Sequence, residues 1–246
     1  MNSTVESDLP ATPEPAPPPF SFALLLADVG RFLSFRQPSP ALLQHWPESL
    51  GFGLAVTWLA GVGRYWDNPR AELWQLAGLG SVAYVLVLSL LLWLLIAPLR
   101  PQHWSFRNVL LFVTLTSPPA LLYAIPVERF TSMDTAAALN AGFLAVVAVW
   151  RLALYAVFLQ RVGQLSAFAV VIGTLLPMAL IVFTLTVLNL EHVVFDLMSG
   201  VRDSERSPND TAYVVVLVTT VLAFYASPFL LLGYIGGIYH AWLQRH

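Results

Sequence analysis

The sequence predicts an all-α membrane protein: a polytopic bundle of about six transmembrane helices preceded by an interfacial amphipathic helix. Three observations predict it. Hydrophobic residues make up 57% of the 246 residues and charged residues only 11%, against about 25% charged in soluble domains. Mean hydropathy is +0.70. The apolar residues also gather into six runs long enough to cross a membrane, for which about 20 residues are needed. In lipid a backbone must satisfy its own N–H and C=O groups, so each run is expected to be helical. The same composition excludes a disordered chain, a nucleic-acid binder and a soluble globular enzyme.

Residues 1–19 differ from the rest. Pro10, Pro13, Pro15, Pro17, Pro18 and Pro19 stand among Glu6, Asp8 and Glu14. Such a stretch buries too little apolar area to offset its ordering entropy, and a disordered acidic tail is expected. It lacks the basic start of a signal peptide. As a Pro-rich ligand it lacks a flanking arginine.

Residues 20–46 are expected to form an interfacial helix and a linker. Over 20–35, Phe22, Leu25, Leu26, Val29, Phe32 and Leu33 share one helical face, and Ala27, Gly30, Arg31 and Ser34 the other, with Asp28 at the edge. That spacing is amphipathic, and the segment is too short and too charged to span. It suits a helix that lies in the membrane interface or packs on the bundle. Pro38, Pro40 and Pro47 then break the chain.

The transmembrane bundle is placed at 47–246. Its runs are 48–65, 73–97, 105–125, 136–159, 166–188 and 212–242. The first is weakened by Gly51, Gly53, Gly61 and Gly63, whose lack of side chain also lets a neighbouring helix come close. Most tryptophans sit near run ends, as interfacial aromatics do. Short connections make consecutive spans antiparallel neighbours. The one long connection, 189–211, holds most of the loop charge. Six spans put both ends on one side. Arginines favour that side six to five, and the positive-inside rule then makes it cytoplasmic. All 12 basic residues are arginine and none is lysine, which we read as the codon bias of a GC-rich bacterial genome. A multi-pass protein of the bacterial inner membrane is the expectation.

Catalytic machinery is not evident. The chain has no cysteine, which removes disulfides, thiol nucleophiles and cysteine metal sites. It has no His-Glu-x-x-His pair and no Gly-x-Ser-x-Gly turn, and without lysine a phosphate-binding P-loop is impossible. No run carries paired carboxylates at its centre, as a proton-coupled pump would. The expectation is a non-enzyme with no cofactor and no metal.

Three groups of residues stand out. Glu191, His192 and Asp196 form one carboxylate–histidine cluster, with His192 and Asp196 four apart on a helical face. The two could serve as a metal pair or a pH-sensing contact, but the polar face of an interfacial helix is favoured, because two ligands on one helix do not make a site. Prolines interrupt the runs at Pro118–Pro119, Pro177 and Pro228, each removing a donor and freeing a carbonyl. Transporters use such breaks to build midplane sites, but kinks are also common in ordinary membrane helices. Finally, Arg151 lies near the centre of the fourth run. A lone guanidinium there costs at least about 2.5–3.5 kcal/mol. Counting back from the hairpin turn aims it at the carbonyls of Thr114 and Leu115, the pair an α-helical register frees at Pro118 and Pro119. A structural cap is favoured over an anion site.

The order of these features resembles the Yip family, the Rab-GTPase-interacting integral membrane proteins, and their bacterial relatives. The features are a helix ending at Phe35-Arg36-Gln37-Pro38, the segment from Ser117-Pro118-Pro119 to Ile125-Pro126, and a Trp150-Arg151 span feeding two further apolar helices. The resemblance implies a helical membrane protein without catalytic residues. Its members typically have five spans, against six counted here. We expect a non-enzymatic scaffold or accessory subunit, with a small-solute transporter or channel as the alternative. The lipid bilayer is the expected partner, joined by a protein partner or a second copy of the chain. The residues at midplane depth, Thr114, Thr116, Ser117, Arg151, Thr184 and Thr186, make a sparse path for a solute.

Overall fold

The computed structural model describes residues 19–65, 72–187 and 211–243, which contain helices and no strand. Helix α1 spans Phe22–Leu33, α2 Ala41–Gln44, α3 Trp46–Tyr65, α4 Leu73–Leu76 and α5 Leu79–Ile96. Then come α6 at Phe106–Leu115, a 3₁₀ segment at Pro118–Ala124, α7 at Met133–Arg161, α8 at Ala167–Val187 and α9 at Thr211–Leu243. Serine side chains cap the starts of α1, α6 and α7, where Ser21, Ser105 and Ser132 accept from the backbone N–H three residues on. The expected 73–97 run is divided at Gly78, whose φ of +68° ends α4 and opens α5.

Among the described residues four helices are long and apolar enough to cross a membrane: Leu79–Leu99, Ala138–Arg161, Ala167–Leu185 and Val218–Leu243. Their apolar residues mostly face outward; in the last only 11% of the most apolar stretch is buried within the protein. So much contiguous apolar surface needs a lipid cover, and the chain is built to be embedded in a membrane. The other two runs fall short for separate reasons. Helix α3 has the length, but its glycines and Glu48 dilute its hydropathy. Helix α6 stops after ten residues at the Pro118–Pro119 pair. Pro177 and Pro228, by contrast, sit inside unbroken helices, so only the double proline rebuilds the backbone.

The end of α6 and the turn after it form the inside of the bundle. Residues 111–117 are all buried, as expected of a helix surrounded by others. Helix α3 runs beside this segment in the same direction: Gly53 meets Thr114, Thr57 meets Ser117 and Gly63 meets Ala124. Helix α7 closes another side, with Phe158 stacked on Phe112 at 4.3 Å. Helix α5 adds Val85, Leu92 and Ile96 to the same core. Helices α8 and α9 pair through Ile172, Leu176, Ala179, Ala223 and Leu230. They attach to α5 where the Tyr234 hydroxyl donates to the Leu95 carbonyl at 2.7 Å. One end of the bundle gathers the turns after α5 and α7, joined by Gln102 N–H to the Gly163 carbonyl at 2.9 Å.

Helix α1 packs on this core through Leu25 and Val29, against Leu42, Leu111 and Leu115. Its buried stripe is rotated from the expected one. Phe22 and Leu26 are exposed, and Asp28 is buried at 1% exposure. The carboxylate tolerates burial because it is supplied with donors: the Ser39 N–H at 2.9 Å, the Ser39 hydroxyl and the Arg31 guanidinium. Trp150 of α7 donates its indole N–H to the Leu33 carbonyl at 2.9 Å, and Arg161 donates to Phe35 O at 2.6 Å. The helix is thus tied to the bundle at its C-terminal end.

Candidate functional site

The polar groups at the centre of the bundle surround the double proline. Thr114, Thr116, Ser117 and Thr57 are each no more than 5% exposed. In an apolar interior each unpaired polar group costs about 1–3 kcal/mol, so their partners decide what the site can do. The Thr57 hydroxyl reaches Gly53 O at 2.8 Å and shares a hydrogen bond of 2.6 Å with the Ser117 hydroxyl. Thr114 Oγ1 donates back to the carbonyls of Leu110 and Leu111, and Thr116 Oγ1 to that of Val113. The four side chains are therefore engaged with one another or with the backbone.

Arg151 reaches this centre from α7. Its Nε–H donates to the Thr116 carbonyl at 2.9 Å, which corrects the expected acceptors, Thr114 and Leu115. The expectation assumed an α-helical register, where proline frees the carbonyl four residues back. Here the chain has already tightened. Ser117 N–H donates to Thr114 O and Ala120 N–H to Ser117 O, both three residues back. In that register Pro118 and Pro119 remove the donors for Leu115 and Thr116. Thr114 O keeps a backbone partner, and Arg151 takes the Thr116 carbonyl. The sequence-chosen residues Arg151, Thr114, Leu115, Pro118 and Pro119 do meet in one place, displaced by this change of register.

Two residues of the neighbourhood were missed. Thr57 lies on a helix remote in sequence, and its only forewarning was the small-residue spacing Gly53-x-x-x-Thr57-x-x-x-Gly61. Tyr155, one turn along α7 from Arg151, packs its ring on Phe112 at 5.8 Å. Its buried hydroxyl has no partner among the described residues. The cluster Glu191, His192 and Asp196 lies outside the described residues. Among the described residues no three His, Asp or Glu side chains come together as metal ligands.

No protein-family model, no curated protein and no solved structure matches this chain.

Proposed function

We propose that the chain is a non-enzymatic, six-span integral membrane protein that acts as a scaffold or accessory subunit, related in pattern to the Yip family. In this reading α3 and the α6–3₁₀ unit are the two additional crossings. Both described ends, α1 and the close of α9, lie on one side, the cytoplasmic side of a bacterial inner membrane. One observation carries it: the central polar side chains spend their hydrogen bonds on each other and on the backbone, and do not line a chamber. The direction of α3, parallel to α6, supports the two extra crossings, since α5 must then return between them. Helix α6 is cut short by the double proline, and its neighbours shield the break, since broken backbone is tolerated at membrane depth only inside protein.

The transporter reading is favoured by one feature, the broken helix beside a half-buried arginine. Two measurements separate and test the readings. Single cysteines at Gln102 and Asp203, placed in this cysteine-free chain, should label from opposite sides of sealed vesicles; labelling from the same side rejects six spans. Proteoliposomes of the purified chain should show no solute flux above protein-free vesicles, and saturable flux abolished by Arg151→Leu replaces the scaffold with a transporter.

A further inference from the structure

An open apolar groove of about 440 Å³ runs along the outer face of α7, lined by Phe35, Ala145, Val146, Val149, Trp150 and Ala153. From Ala145 to Ala153 it extends eight residues, about 12 Å at the helical rise. Val146 and Val149 are exposed along it, so it opens sideways, away from the core. Its upper end is different in character. Phe35 forms that end, the next residue is the exposed Arg36, and the exposed Arg161 holds the Phe35 carbonyl at 2.6 Å. Arg161 is also the last residue of α7 and of its membrane-length stretch. The apolar slot therefore lies along the middle of this stretch, and Phe35 links it to Arg161, two turns further along α7.

The backbone at the mouth is held in an uncommon way. Phe35 N–H donates to Phe32 O and Arg36 N–H to Arg31 O, a Schellman closure in which the residue after the cap is left-handed. Glycine is the usual occupant of that position, yet here it is Phe35, at φ +61°. The strain is sustained by the Arg161 and Trp150 hydrogen bonds to this turn, and it sets the phenyl ring over the groove. Strain kept where glycine would relieve it points to a use for the side chain.

We propose that this groove binds an anionic phospholipid, with one acyl chain along Ala145–Ala153 under Phe35 and the phosphate between Arg36 and Arg161. The complementarity is twofold: a carbon-lined slot for the chain, and the exposed arginines Arg36 and Arg161 beside Phe35 for the phosphate. Arginine suits the phosphate because its planar fork donates two parallel hydrogen bonds. The inference rests on the membrane-embedded reading, and a protein that retains neutral and anionic lipids alike keeps that reading while losing this one.

Native mass spectrometry of the detergent-solubilised chain, titrated with phosphatidylglycerol or phosphatidylcholine of matched acyl chains, tests it. The wild-type protein should retain phosphatidylglycerol at least fivefold more tightly. The Arg36→Gln/Arg161→Gln double variant should bring the two lipids level, and Ala145→Phe, which fills the open slot without touching the arginines, should weaken both. Unfolding temperatures identify any variant that has lost its fold, and the two variants act at opposite ends, so either one alone decides. Equal retention by the wild type, unchanged selectivity in the double variant, unchanged binding in Ala145→Phe, equal binding of glycerol phosphate without acyl chains, or a dimer that excludes lipid overturns the proposal.

Discussion

Arg151 Nε lies 2.9 Å from the carbonyl of Thr116, across 35 residues of sequence. The pairing answers two costs at once. It gives a guanidinium at membrane depth an acceptor, and it gives a carbonyl stripped of its donor by Pro119 a new one. Around it, the Thr57–Ser117 bond and the Gly53–Thr114 contact press α3 on the same segment. The broken helix at the centre is thereby held from two sides.

The two glycines Gly53 and Gly51 should respond oppositely to alanine. A Cβ on Gly53 would lie 2.7 Å from the Cβ of Thr114, whereas one on Gly51 meets nothing within 4 Å. Gly53→Ala should destabilise by about 1–3 kcal/mol through overpacking. Gly51→Ala should be neutral or stabilising by up to about 1 kcal/mol, through helix propensity. Thermal unfolding in one detergent checks both, and equal effects would remove the proposed close approach.

Thr57→Val keeps the shape and removes the hydroxyl that Ser117 shares. Hydrogen bonds between membrane helices couple by about 0.6 kcal/mol on average and up to about 1.7. A cycle of Thr57→Val and Ser117→Ala should give a coupling in that range. Additive losses would mean that the 2.6 Å contact contributes nothing to stability.

Asp28 and Arg31 form an ion pair, but only the acid is buried. Asp28→Ala should cost about 1–3 kcal/mol, because the Ser39 N–H loses its acceptor. Arg31→Ala should cost about 0–1 kcal/mol, as for exposed pairs. A larger loss from the arginine would show that the pair, and not the Ser39 turn, anchors α1.

Tyr155→Phe removes the buried hydroxyl that lacks a partner. Stability should hold or rise by up to about 1 kcal/mol, since no hydrogen bond is lost and a desolvated group is gone. A loss in unfolding measurements would reveal a polar partner for Tyr155.

Much of this was legible in the sequence. The helical runs follow from hydropathy, and the ends of α7 and α8 fall within three residues of the expected positions. The meeting of Arg151 with the double proline follows from hairpin geometry, because both lie on one antiparallel pair. The finer placements depended on contacts between segments remote in sequence. Asp28 sits at the edge of the helical pattern, because its inward position is made tolerable chiefly by Ser39, across a turn. The parallel course of α3 beside α6 is set by Gly53 and Thr57, whose small size permits many neighbours. The acceptor was displaced to Thr116 because the chain tightens to a 3₁₀ register before the prolines, and periodicity does not distinguish that from an α-helical turn.

The central claim is that Arg151 replaces the donor Pro119 lacks. A double-mutant cycle of Arg151→Leu and Pro119→Ala, read by equilibrium unfolding in lipid or detergent, tests it most directly. In the 3₁₀ register an alanine at 119 offers its own N–H to the Thr116 carbonyl. Arg151→Leu should then cost about 1–3 kcal/mol in the native background and at least about 1 kcal/mol less in the Pro119→Ala background. Additivity within about 0.5 kcal/mol, the behaviour of independent sites, would contradict the claim.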